Sequence, residues 1–474
     1  MERIAAPAPL ALRFQAPPAT RTTLVWPALV TLAALLPAAP AARAEEAASP
    51  FSGYFMLYDY VDLTRALDEA GFLAHEYPDK EWFATDRAGL RLQLRANGEL
   101  SEKASFDATV QFDYDVRDAL RQPTSSVTDG MSFQLKEGFL AFSRVLPVLD
   151  LKLGRQYVFW GRFEWGGVLD GISGWDYNSM GAEKENFRLA VDAARVLIDL
   201  SPVTIEGIWL PWFAPNRTPL ALPDKLGPLP VEQRPADVPS LAPENSEGGA
   251  RVLLDMWGYG EVALSYFNGF QRTFYLEPTT INDPDTGFVQ GLAFTPKYQR
   301  QHTLGLDFEI PVGPVLLLGE AGWFLTEDRD GTDVWKRNPS AAGVLGFEME
   351  PHSRLMIQAQ AAYTRLLDYN RQYDYDTRVA FGEPDPFVPS QDQYQLTYRL
   401  RYRIVSELSF HWLHLFNRHD RTTWDMMMLG FFSWEPLEAL KVYAGGIVFR
   451  GEENIGFGRL EDQGRLFVEI RQYF

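Results

Sequence analysis

Three arginines near the carboxyl end have the spacing to act together on a solute. Arg399, Arg401 and Arg403 are two residues apart, so in an extended chain they share one face at intervals of about 6.6–6.8 Å. A guanidinium is permanently charged, and its planar fork suits carboxylate and phosphate. The neighbouring segments carry no comparable acidic row. This stripe is therefore a candidate binding path for small anions, which it would hold weakly enough to release.

A second charged group combines a basic segment with an acidic one, and two interpretations of it are open. If the two rows face each other across water, they produce a transverse field that orders small polar solutes. If they pair between adjacent strands, they only stabilise the wall. The residues are Arg87, Arg91 and Arg95 on one segment and Asp107, Asp113 and Asp115 on the next.

Catalytic and metal-binding patterns are poorly supported. His411 and His414 are three residues apart, which places them on opposite faces of a strand. The chain has no cysteine, which excludes thiolate ligands and disulfides. Asp328, Asp330 and Asp333 have the spacing of calcium ligands but lack a complete twelve-residue loop, which favours a solvated acidic loop. We predict no enzymatic activity, no cofactor and no metal.

Composition restricts the possible partners. The 474 residues carry a formal net charge of −19, and so strong an acidic excess argues against nucleic acid, which needs a basic surface. Aromatic residues make up 14% of the chain, enough for the aromatic girdles of a membrane barrel.

The amino-terminal 44 residues have the pattern of a secretory signal. Positive charge comes from Arg3, Arg13 and Arg21, an apolar run covers 24–36, and Ala42-Arg43-Ala44 offers small residues at the cleavage positions. The run is shorter than the roughly twenty residues that a membrane-spanning helix needs. We predict a signal peptide at 1–44 and a single mature domain at 45–474.

The remaining chain alternates between apolar and polar residues with a period of two. Leu90, Leu92 and Leu94 interleave with polar residues, and Asn97-Gly98 follows as a tight-turn signal. The chain then returns through 106–115 with the same alternation. This pattern predicts a hairpin with one apolar face.

Short and long connections between such segments alternate along the whole chain. Turns such as 199–202 and 311–314 separate long polar stretches such as 161–186 and 271–299. Short periplasmic turns and long outer loops are typical of outer-membrane barrels. We predict an all-β, transmembrane, antiparallel up-and-down β-barrel of about 18 strands, with 16 as the alternative count.

The last strand is expected to close this barrel. Leu466, Val468 and Ile470 alternate with charged and aromatic residues, and the chain stops on Phe474. The ending resembles the assembly signal of bacterial outer-membrane barrels, which implies the barrel-assembly machinery and outer-membrane lipids as partners. The alternative is the last strand of a soluble sheet, which would leave an exposed edge.

A second resemblance lies in the segment 151–167, LKLGRQYVFWGRFEWGG. Its Gly-Arg-Gln followed by Trp-Gly resembles a GRQ-type family of Gram-negative porin-like barrels of undefined function and, more distantly, the alginate-export porins. The segment 205–220, a strand that runs into a Pro-rich loop, resembles the same family. The matching residues of the first motif are Gly154, Arg155, Gln156, Trp160 and Gly161.

Arg155 has two possible positions. It shares parity with Leu149, Leu151 and Leu153, which should face lipid. A bulge at Gly154 would turn Arg155 into the pore, and we count it among the pore-lining residues. Alternatively, it lies at the outer rim and extends to the lipid headgroups.

Together these patterns predict an outer-membrane channel for small polar or anionic solutes. A substrate-selective importer or an exporter of an anionic polymer is the alternative, and a structural or adhesive surface barrel is a third hypothesis. The longest loop, 212–248, contains eight prolines. Such a segment should add no strands but could form a lid or fold into the pore.

Overall fold

A computed structural model of the chain describes residues 50–62, 85–116, 130–177, 181–182, 187–218, 225–226, 228–381, 388–452 and 455–474. The predicted signal peptide lies outside these residues. Among them, no helix has the length and apolar character to cross a membrane.

Eighteen antiparallel strands form one sheet in which each strand pairs with its neighbours in sequence. The alternating residues noted above form these strands because period two gives each strand one face for lipid and one for the interior. The strands are β1 Phe51–Asp62, β2 Thr85–Ser101, β3 Ala104–Asp115, β4 Met131–Leu146, β5 Leu149–Gln156, β6 Val191–Asp199, β7 Val203–Leu210, β8 Glu247–Asp255, β9 Glu261–Phe270, β10 Arg300–Val312, β11 Val315–Thr326, β12 Ser340–His352, β13 Leu355–Leu366, β14 Asp392–Val405, β15 Leu408–Arg418, β16 Trp424–Leu437, β17 Leu440–Gly451 and β18 Arg465–Tyr473.

The sheet closes on itself because β18 pairs with β1. Their register runs from Tyr54 opposite Tyr473 to Asp62 opposite Arg465. Phe474 extends the closure, since its backbone N–H and C=O each bond to Gly53 at 3.1 Å. The predicted closed barrel of eighteen strands is therefore confirmed.

The turn predicted at Asn97-Gly98 is wrong. Asn97 pairs with Asp107 inside the ladder, and β2 continues to Ser101 before the chain turns. The alternation continues through the Asn-Gly pair, so the two strands gain more ladder bonds by extending than by turning there.

The two faces of the wall differ as the alternation predicts. Large apolar side chains on the outer face are exposed, for example Leu90, Leu264, Leu345 and Leu396. The residues between them turn inward and include the charged rows. An exposed apolar exterior around a closed barrel is the arrangement that a lipid bilayer requires.

Some of the long connections form structure of their own beyond the barrel wall. Four short strands make a separate sheet, a helix lies between β13 and β14, and a 3-10 helix precedes β18. The expectation that 212–248 adds no strands is wrong, because two strands of this sheet lie in it. The elements are Lys225–Leu226, Leu229–Gln233, Tyr275–Asn282 and Val289–Lys297 in the sheet, the helix Arg371–Phe381, and the 3-10 helix Gly456–Gln463.

Candidate functional site in the lumen

The connection that follows β5 crosses the inside of the barrel. We call its residues 157–177 the inner loop. Glu164 in this loop forms an ion pair of 2.8 Å with Arg399 on β14, and β14 lies halfway round the ring from β5. The loop also contacts inward side chains of β10, β11 and β13. One segment can reach all of these strands only through the lumen.

Glu320 on β11 is the central contact of the inner loop. Its Oε1 accepts the backbone N–H of Arg162 at 2.5 Å and that of Phe163 at 3.0 Å. Its Oε2 accepts those of Val168 at 2.8 Å and Leu169 at 3.0 Å. Glu320 is only 4% exposed. Charge-assisted bonds to a buried carboxylate are among the stronger hydrogen bonds in proteins.

Glycines let the backbone come this close to the wall. Gly161 has a φ of 113°, and a Cβ there would lie 2.5 Å from Oε1 of Glu320. Gly166 has a φ of 66°, and a Cβ there would lie 2.4 Å from Oε1 of Gln395. Only glycine tolerates both the left-handed backbone and the contact. Gly161 and Gly166 are therefore needed where the backbone passes closest to Glu320 and Gln395.

Arg162 fastens the loop to an acidic part of the wall. Its Nε donates to Asp307 at 2.7 Å, and its Nη1 contacts Glu261 at 2.8 Å and Glu309 at 3.2 Å. Arg251 on β8 also donates to Asp307 at 2.7 Å. These contacts compensate the charge of the fully buried Asp307.

Midway along, the loop also contacts β13 and β14. Gln360 donates to the carbonyl of Trp165 at 2.7 Å. In the Glu164–Arg399 pair, the side chains are 41% and 29% exposed. The loop is therefore attached to the wall by several buried contacts and by one partly exposed ion pair.

An apolar cluster fills the lumen on one side of the loop. Inward residues of β15 to β18 and β1 pack there with Phe187 of the following segment and Leu460 of the 3-10 helix. Members from the wall include Leu413, Leu429, Ile447, Phe449 and Phe467. Dense packing of this kind leaves little space for solute.

A cavity of about 370 Å³ remains on the other side of the loop. Its lining combines aromatic rings with neutral polar groups and a few charges. Burial raises the pKa of Tyr177 to about 12, so this phenol stays protonated at neutral pH. Lining residues from the wall include Ser265, Phe267, Thr303, Phe324, Ser340 and Thr364.

Among the described residues, the charges that line the cavity are paired except for one arginine. Arg272 binds Glu247 at 2.8 Å, and Arg188 binds Asp170 at 2.8 Å. Arg337 precedes β12, lines the cavity and is exposed. Within the described part of the chain, its guanidinium has no ion pair or hydrogen bond; only its backbone is bonded, to Gln299. The net fixed charge of the lining is therefore positive.

The predicted charged rows are cross-strand pairs in the wall. Arg87 contacts Asp115 at 3.0 Å, and the other two pairs are at 2.5 Å. Of the two interpretations left open, the geometry matches the ladder that stabilises the wall. The other pairs are Arg91 with Asp113 and Arg95 with Asp107.

The arginine stripe on β14 is only partly unpaired. Arg399 binds the inner loop, and Arg401 contacts Glu350 on β12 at 3.3 Å. Arg403 forms no ion pair with any residue that the structure describes. The acidic partners come from the inner loop and from β12, which are distant in sequence, so inspection of the adjacent segments missed them.

Arg155 does not lie in the pore, where it was predicted. The register continues through Gly154 without a shift, so Arg155 keeps the parity of Leu153 on the outer face. It binds Asp192 at 2.5 Å, and the Trp212 indole also donates to Asp192 at 3.1 Å. This position near the end of β5 corresponds to the rim alternative.

Sequence inspection missed Glu320, Arg162 and Arg337. A signal for the inner loop was present, because Phe163 and Trp165 lie in 161–186, which was interpreted as a polar outer loop. Phe163 is 0% exposed. Large apolar residues in a long connection indicate that it packs against something. Within the described ranges, no group of three or more histidine, aspartate or glutamate side chains could hold a metal ion.

No family model and no curated protein sequence match this chain. Among solved structures it is similar to Pseudomonas aeruginosa OccK3 (OpdO), with 11% identity, 89% of this chain and 93% of that chain covered, and a TM-score of 0.47. It is also similar to P. aeruginosa OpdK with vanillate, at 12% identity, coverage of 90% and 98%, and a TM-score of 0.47.

A BenF-like porin from Pseudomonas fluorescens Pf-5 is similar at 10% identity, with coverage of 90% and 97% and a TM-score of 0.49. The closed register and the apolar exterior define the class of this chain: it is an outer-membrane β-barrel of eighteen strands.

Proposed function

We propose that this protein is an outer-membrane channel for small anionic or polar solutes, which pass between the inner loop and the wall of β9 to β13. The observation that carries this proposal is the cavity of mixed polar and aromatic lining beside the inner loop, where the Arg337 guanidinium has no partner among the described residues. The likeness of 151–167 to the GRQ-type porin-like family is part of the same proposal.

Local charge favours anions although the whole chain is acidic. At physiological salt, exposed charges farther apart than about 8 Å are largely screened. A solute in the cavity therefore responds mainly to the charge of Arg337. The charges of Arg272 and Arg188 are already neutralised by Glu247 and Asp170. An anionic polymer is a weaker candidate than a small solute, since the inner loop crosses the lumen.

The test is the reversal potential of the purified protein in planar lipid bilayers under a salt gradient. We expect ion conduction with a preference for anions, and a lower anion-to-cation permeability ratio in Arg337→Gln. Arg365→Gln is the matched control, because Arg365 is an exposed arginine on the outer face, paired with Asp392. A protein that inserts but does not conduct would instead favour the structural or adhesive barrel.

We also propose that residues 1–44 are removed on export and that Phe474 directs insertion by the barrel-assembly machinery. The 3.1 Å backbone bonds between Phe474 and Gly53 support a role at the seam. Deleting Phe474 should lower the amount of heat-modifiable protein in the outer membrane. Wild-type levels of the truncated protein would contradict this.

A further inference from the structure

We propose that Glu320 is the positioning residue that sets the path of the inner loop across the lumen, and so the shape of the constriction. The meaning of this role for transport rests on the proposed channel function. The positioning itself rests only on contacts between Glu320 and the loop backbone.

The bonding pattern supports positioning, as opposed to general wall stability. Two oxygens of one carboxylate accept four backbone N–H groups, two from 162–163 and two from 168–169. Glu320 therefore joins the two ends of the arch 163–168, and that arch carries Glu164 to β14 and Trp165 to β13. Side chains of the arch take no part in these four bonds.

The surroundings of Glu320 are shaped to admit backbone and nothing larger. A Cβ on Gly161 would meet Oε1 at 2.5 Å, and a Cβ on Gly167 would meet both carboxylate oxygens at 3.1 Å. With Glu320 at 4% exposure, water has little room to replace the carboxylate as acceptor. The four N–H groups thus depend on this one side chain.

Glutamine is a sharp probe of this arrangement. It keeps the size of glutamate but replaces one acceptor oxygen by an NH₂ group, which can only donate. Whichever way the amide is turned, its NH₂ faces two of the four backbone N–H groups. Two of the four hydrogen bonds are therefore lost, and these donor–donor contacts become repulsive. Glu348 on β12 is the matched control, since it faces inward, is half-buried and makes no side-chain hydrogen bond or ion pair with the described residues.

The experiment uses a spin label on the inner loop of the full-length protein. The chain has no native cysteine, and a Cβ at Gly171 would meet nothing within 4 Å, so Gly171→Cys accepts a nitroxide. In detergent-solubilised, heat-modifiable protein, we expect the spectrum to show at least a twofold shorter rotational correlation time with Glu320→Gln. With Glu348→Gln the spectrum should not change.

A second variant covers the case in which Glu320→Gln fails to assemble. Gly161→Ala approaches the same carboxylate from the loop side and leaves the wall intact. An unchanged label spectrum in whichever variant assembles would overturn the positioning role. If the label becomes mobile but wild-type protein does not conduct ions, the positioning role holds and the proposed channel function fails.

Discussion

Two of the attachments between the inner loop and the barrel, those at Glu320 and at Arg399, differ in almost every physical respect. At Glu320, a side chain that is 4% exposed binds four backbone N–H groups. At Arg399, two side chains that are 29% and 41% exposed form one ion pair of 2.8 Å. The first attachment uses the loop backbone, and the second uses the Glu164 side chain.

This difference suggests two roles: the Glu320 attachment places the loop, and the Arg399 attachment makes the position of its exposed side chains depend on the solution. Phe163 and Leu169, two of the residues whose backbone amides bind Glu320, are buried with it, whereas an exposed ion pair is screened by salt and competes with dissolved ions. The Glu320 attachment should therefore fix the constriction, and the Arg399 attachment should respond to the solution. The predictions below test this separation.

The largest effect is expected from Glu320→Leu. Each buried N–H left without an acceptor costs about 1–3 kcal/mol, so the segment 162–169 should rearrange instead of keeping its path. Hydrogen exchange followed by mass spectrometry should show at least a tenfold loss of protection in this segment. Glu348→Leu should leave the protection unchanged, and equal protection in the Glu320 and Glu348 variants would remove the distinction between the two attachments.

A smaller effect is expected at the other attachment. Exposed ion pairs contribute about 0.2–1 kcal/mol, so a double-mutant cycle of Arg399→Gln and Glu164→Gln should give a coupling in that range, smaller at high salt. Exchange of the segment 163–167 is a suitable measurement. A coupling that exceeds the effect of Glu320→Gln, or that does not depend on salt, would reverse the ranking.

The wall of the barrel was predictable from sequence for a simple reason. Lipid on one side and water on the other impose a period of two on every strand, and that period is visible in Leu90, Leu92 and Leu94 without knowledge of their partners. The seam was predictable as well, because a barrel needs its last strand to pair with its first. The prediction of a turn at Asn97-Gly98 was wrong because the hydrogen bonds of a longer ladder outweigh the turn propensity of these two residues.

The contents of the lumen were not predictable in the same way. Arg162 and its partner Asp307 are 145 residues apart, and no periodicity connects them. Whether Arg399 is free or paired depends on Glu164, whose loop was expected to extend outward. Contacts between one loop and several strands are set by the closed fold, so they cannot be inferred from neighbouring segments.

The smallest effect is expected from the arginine stripe on β14. Because Arg399 and Arg401 already have acidic partners, changing Arg399, Arg401 and Arg403 together to glutamine should lower the anion-to-cation permeability ratio less than Arg337→Gln does. Reversal potentials measure both. An unchanged ratio in the triple variant would mean that these arginines only support the wall and the loop. A larger drop in the ratio than with Arg337→Gln would mean that anions move along the arginines of β14.

The most direct test of the central claim is to place a charge in the cavity while current flows. In Gly171→Cys, a membrane-impermeant anionic thiosulfonate should react from the lumen and lower the single-channel current by about half or more. Tyr259→Cys, in the short turn between β8 and β9 where Tyr259 is 79% exposed, should react without changing the current. Complete modification of Gly171→Cys, verified by mass spectrometry, with an unchanged current would contradict a solute path between the inner loop and the wall of β9 to β13.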